Sequence, residues 1–126
     1  MKKFTKTNAR LEDRITITAN RAFGFPTQFY KNNNINRHKY LVLYFDEDNE
    51  VIGFHFTSDE GEEHKFTLIK SNQGYGASVV ATSFFKTYDI DPGKYKGKYN
   101  WRKRKITEVG QVFLIDLKEK EANKKD

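Results

Sequence analysis

A stretch that recurs at a fixed offset constrains this chain more than any other feature. Shifting the sequence by 55 residues, with no gap, lays Thr27 on Thr82, Phe29 on Phe84, Lys31 on Lys86, Ile35 on Ile90, Tyr40 on Tyr95 and Tyr44 on Tyr99. Phe25 falls on Val80 and Tyr30 on Phe85 in the same alignment. Repetition at this period marks repeated supersecondary units, each too small to bury its apolar face alone.

The flanks of the repeat read as strands. Arg14-Ile15-Thr16-Ile17-Thr18 alternates and is β-branched, and residues 22–25 form a second short strand ending at Pro26. Pro26 has a fixed φ that suits a helix start, and residues 27–33 continue as a short helix stopped by Asn32-Asn33-Asn34. Residues 40–45 are the strongest strand, 46–50 a turn, and 51–56 the returning strand. An acidic connector covers 57–63. The second copy offers a strand at 64–69, a loop at 71–76, a strand at 77–80, a helix at 82–88, a turn at 91–93, and strands at 98–101 and 111–117. Residues 15–18 match 66–69, and 52–56 match 112–117 across a longer turn. The expectation is a mostly β protein with short helices. Two β-β-α-β-β units, 14–57 and 64–117, would form one barrel-like domain between a flexible arm, 1–13, and a charged tail, 118–126.

Phe25-Pro26-Thr27-Gln28-Phe29-Tyr30-Lys31-Asn32-Asn33-Asn34-Ile35 resembles the central signature of the AbrB/MazE/SpoVT superfamily. That signature is a strand ending in an apolar residue and proline, a short helix, a Gly- or Asn-like stop, an isoleucine, a charged turn and a long hairpin. Val80-Ala81-Thr82-Ser83-Phe84-Phe85-Lys86-Thr87-Tyr88-Asp89-Ile90-Asp91-Pro92-Gly93-Lys94 resembles it again. The resemblance implies a swapped-hairpin barrel in which two copies in one chain make a built-in pseudo-dimer. It also implies DNA binding, as in a transcriptional regulator or antitoxin-like factor, with Arg21 in the loop that would face DNA. The chain departs from the pattern at Ala22, where family members often carry arginine, and at Ala81 in place of the second proline. Related double-psi barrels also carry two such units, and many of those are enzymes or protein-binding modules.

Charge points the same way. The net charge is +6 and the pI about 9.4, a balance that attracts polyanions at long range. The run from 94 to 105 holds Lys94, Lys96, Lys98, Arg102, Lys103, Arg104 and Lys105 with no acid among them, interleaved with Tyr95, Tyr99 and Trp101. If extended, Lys94, Lys96 and Lys98 share one face and track a phosphate backbone, while the aromatics offer stacking surfaces for unpaired bases. The bland alternative is a solvated edge strand protected by lysines. Arg14, Arg21, Lys31, Arg37 and Lys39 make a sparser set in the first copy. Residues 46–63 are opposite in sign, with eight acids and no lysine or arginine; they read first as solubilising turns, and otherwise as a surface for a protein partner or for the basic stretch of a second copy of the chain.

Other classes find no support. The chain has no cysteine, so disulfides, zinc thiolates and thiol nucleophiles are excluded, and a cytoplasmic location is expected. No apolar run is long enough for a membrane span, and no apolar stretch follows the basic start as in a secretory signal. His38, His55 and His64 lack the spacing of a metal site, Asp46-Glu47-Asp48 does not fit a calcium loop, and no cofactor or catalytic motif is present. The expectation is a duplex-DNA binder. A protein-interaction module of the same fold and a single-strand binder are the alternatives.

Overall fold

A computed structural model describes residues 12–71 and 76–119. Residues 1–11 of the arm expected at 1–13, residues 72–75 of the loop expected at 71–76, and residues 120–126 of the tail expected at 118–126 lie outside the described residues. Strand β1 (Ile15–Thr18), β2 (Ala22–Pro26), helix α1 (Thr27–Asn32), β3 (Tyr40–Asp46) and β4 (Val51–Thr57) come first. The short strands β5 (Phe66–Thr67) and β6 (Ile69–Lys70) follow, then β7 (Gly76–Val80), α2 (Thr82–Thr87) and α3 (Pro92–Tyr95). Strands β8 (Gly97–Tyr99), β9 (Trp101–Ile106) and β10 (Gly110–Asp116) complete the order.

The strands form two antiparallel five-stranded sheets, ordered β6-β7-β2-β1-β8 and β5-β3-β4-β10-β9. The expected barrel is thus corrected to two sheets. They meet where the chain changes sheet, between β5 and β6 across Leu68 and between β8 and β9 across Asn100. Such corners let short strands serve both layers. The single strand expected at 64–69 is therefore two, and the one expected at 98–101 is split between sheets.

Alternation explains which side chains fill the space between the sheets. Ile15 and Ile17, Phe23 and Phe25, Ala77 and Val79, Ile52, Phe54 and Phe56, and Phe113 and Ile115 are buried every second residue. The helices plug the interior. Phe29 of α1 packs against Phe25, Phe56, Trp101 and Phe113, at ring-centroid distances from 5.0 to 6.1 Å. Phe84 and Phe85 of α2 pack on Phe23, with Phe45 and Tyr88 beside Phe84. Full burial of each ring contributes roughly 1.5–3 kcal/mol.

The offset of 55 holds within the helical segment. Both α1 and α2 have six residues, start 55 apart, and are followed by a left-handed residue, Asn34 (φ 56°) and Asp89 (φ 54°). It fails on either side. Phe25 is buried but Val80 is 56% exposed, because Ala81 stands between β7 and α2 whereas β2 runs straight into α1. One residue of slip reverses the face, so Val79 is the buried residue at that level. Tyr40 lies in a strand and Tyr95 in a helix. Half-exposed Tyr44 and fully buried Tyr99 share no environment.

Candidate nucleic-acid interface

The basic run divides at Lys96. Pro92 opens α3, and the Asp91 carboxylate accepts the Gly93 backbone N–H at its start. Lys94 therefore sits on a helical turn, its ammonium 5.1 Å from the Tyr95 ring, and Lys96 ends that turn. Lys98 lies in β8 opposite Thr16. The expected row of Lys94, Lys96 and Lys98 on one strand face is overturned by that turn. Lys98 also pairs with Glu12 at 3.2 Å, and Arg14 grips the same carboxylate through two 2.9 Å contacts. The Arg14 guanidinium, with Lys98 helping, holds the Glu12 carboxyl down to about 2 despite partial burial.

Residues 102–105 behave differently. All four lie on β9, and all four are exposed. Register with β10 sets Arg102 opposite Leu114, Lys103 opposite Phe113, Arg104 opposite Val112 and Lys105 opposite Gln111. Strand alternation therefore sends the two arginines to the outer face of the sheet. The two lysines share the other face with Trp101. Strand β9 pairs only with β10, so it forms the sheet edge. No carboxylate among the described residues lies within ion-pair distance of any of the four. Cationic residues stand along an edge whose backbone donors and acceptors point outward.

The first-copy cations are scattered. Arg21 sits at φ 61° in the turn between β1 and β2, where its carbonyl accepts the Ala81 N–H at 2.9 Å. It borders a cavity with Lys86, Asp89 and Asp91, so acids share its surroundings. Lys31 is exposed on the last turn of α1. Arg37 follows in a single 3-10 turn, and Lys39 pairs with Glu60 at 3.7 Å. The structure brings together Arg102, Lys103, Arg104 and Lys105; Arg14 and Lys98 gather on Glu12 instead.

None of the interleaved aromatics is an open stacking platform. Trp101 packs edge-on against Phe29 and Phe113, both at 5.3 Å, and its indole N–H donates to the Asp13 carbonyl at 2.8 Å. Tyr99 is fully buried with its hydroxyl donating to the Tyr95 carbonyl, and Tyr95 packs at the core margin.

The acidic segment is partly engaged within the fold. Glu60 accepts from the Tyr40 hydroxyl at 2.8 Å, and the Lys65 ammonium donates to the Glu60 and Glu62 carbonyls. Asp46 accepts from the Asn49 backbone and side chain, which draws its pKa below the usual carboxylate value. His55 contacts the Gln111 carbonyl through Nδ1 at 2.9 Å. Burial, with His55, Lys70 and Arg37 adding positive charge, lowers His38.

Sequence reasoning missed one feature. The outer face of the second sheet carries a groove of about 650 Å³ beside the two arginines. Its clue was Gly53, a glycine inside a strand, where a Cβ would lie 3.1 Å from Val112 Cγ1 and 3.4 Å from both Leu114 Cδ2 and Tyr44 Cβ. No family model, curated protein or solved structure matches the chain. Among the described residues no helix is long and apolar enough to cross a membrane.

Proposed function

We propose that this chain binds nucleic acid, duplex DNA first, through the β9–β10 hairpin. One observation carries the reading: Arg102, Lys103, Arg104 and Lys105 stand exposed along a sheet edge with no ion-pair partner among the described residues. Most cations elsewhere in the predicted set are matched or isolated. β9 is the open edge of a five-stranded sheet, with β10 paired to β4 behind it, so its cations would meet a duplex along that edge, and its arginines carry the donor fork that reads guanine. Four phosphate contacts give a salt slope of roughly −3.6 on duplex DNA.

The same reading takes the fold as an AbrB-like pseudo-dimer, with a regulator or antitoxin-like role. Its support is reciprocal pairing. β1 of the first unit pairs with β8 of the second through Ile15–Tyr99 and Thr16–Lys98. β5 of the second unit pairs with β3 of the first through Phe66–Leu41 and Thr67–Tyr40. The homologous strands β2 and β7 lie side by side in one sheet, and β4 and β10 in the other.

Retention on a duplex column at two salt concentrations tests the function. Strong retention at about 50 mM that is lost by about 200 mM is expected. Equal retention at both, or none at either, overturns it. A protein partner retained after nuclease treatment, with no duplex binding, would favour the acidic segment at 46–63 as the working surface.

A further inference from the structure

The groove on the outer face of the second sheet is built from four strands. Tyr44 and Asp46 come from β3, Val51 and Gly53 from β4, Leu114, Val112 and Asp116 from β10, and Arg102, Arg104 and Ile106 from β9. Its volume of about 650 Å³ falls within the range of small-molecule sites. The floor is apolar and lies low because Gly53 has no side chain. Tyr44 and Ile106, 40% and 39% exposed, leave apolar surface open to solvent at its margins.

The charged groups differ in what they have already satisfied. Asp116 pairs with Lys118 at 3.0 Å and accepts the Lys118 backbone N–H. Asp46 accepts from Asn49 twice. Arg102 and Arg104 have no ion-pair partner among the described residues. Against the pull of burial, the Lys118 hydrogen bonds and the charges of Lys118 and Arg102 draw the Asp116 carboxyl below its usual value, so Arg104 is the cation of the β9 wall least engaged by a carboxylate. A guanidinium pair at the rim of an apolar floor selects a carboxylate head joined to an apolar body.

We infer that this groove binds a small amphipathic carboxylate, with its chain along Tyr44, Leu114 and Ile106 above buried Gly53 and Val112, and its head on Arg102 and Arg104. Bound there, the ligand occupies two of the four cations assigned to nucleic acid, so it displaces duplex DNA. The displacement rests on the proposed function; the binding does not.

Decanoate, kept below its micelle concentration, is the probe, with decyltrimethylammonium and acetate as controls. Calorimetry on the full chain is expected to show saturable binding of decanoate at one site and none of either control. NMR methyl signals of Val112, Leu114, Val51 and Ile106 should move while those of buried Ile15 and Ile17 stay. Replacing both arginines, Arg102→Gln with Arg104→Gln, should weaken decanoate by about tenfold or more. Gly53→Ala should weaken decanoate yet leave duplex retention unchanged. No saturable binding, equal binding of the cationic detergent, or shifts confined to other methyls would overturn the inference. The methyl map needs no variant, so it decides the matter even where Gly53→Ala fails to fold. Decanoate binding without any duplex retention would refute the nucleic-acid reading and the displacement, leaving the ligand site standing.

Discussion

At Gly76 the backbone takes φ 126°, and a Cβ there would lie 2.6 Å from the Phe25 carbonyl oxygen. That combination admits glycine alone, so Gly76→Ala is expected to cost about 1–3 kcal/mol in urea unfolding. An unchanged midpoint would contradict the strand pairing of Pro26 with Gly76. Glu12 gives a second residue-scale outcome. Its folded pKa is lowered from 4.5 to about 2, so the unfolded chain binds the proton more readily. Its contribution to stability is complete above about pH 4.5 and lost as pH falls toward 2. Wild-type stability should therefore converge on that of Glu12→Gln across this window, and parallel pH curves would show that the Arg14–Glu12–Lys98 cluster contributes nothing. The left-handed site at Asn34 was legible in sequence, since asparagine tolerates that backbone state, while the matching site at Asp89 had no helix stop of that kind to mark it. The pairing of Arg14 and Lys98 on Glu12 was not, because they are brought together only by the β1–β8 ladder.

Among the elements, β9 shows why charge and fold gave conflicting signals. Its sequence, WRKRKI, has too few apolar residues to announce a strand, and only pairing with β10 makes it one. The hairpin partner, rich in Val112, Phe113, Leu114 and Ile115, was plain by comparison. Lys94 and Lys96 misled for the opposite reason: alternation implied a strand where Pro92 starts a helical turn. The packing of Trp101 yields an element-scale outcome. An indole held between Phe29 and Phe113 should emit at short wavelength, and titration with oligothymidine should leave its emission in place. Strong quenching by the single strand would mean that the indole leaves its packing to stack on bases. It would revive the single-strand reading.

For the molecule as a whole, the mostly β character and the helices α1 and α2 were readable from alternation and turn residues, whereas α3 and β9 were not. The two-sheet arrangement was not. It depends on Leu68 and Asn100, where the chain passes between sheets, and no local signal marks either position. The positive balance of the chain was also readable, but not its distribution. A net +6 says nothing of Arg21 lying among acids while the four cations of β9 have no ion-pair partner among the described residues. The decisive measurement is the salt dependence of duplex affinity for wild type and for a variant with Arg102, Lys103, Arg104 and Lys105 all changed to Gln. The wild type should give a log–log slope near −3.6, losing roughly a hundredfold between 50 and 200 mM salt, and the variant a slope near zero with little binding left. Equal slopes for the two proteins would place the contact elsewhere and contradict the assignment of β9.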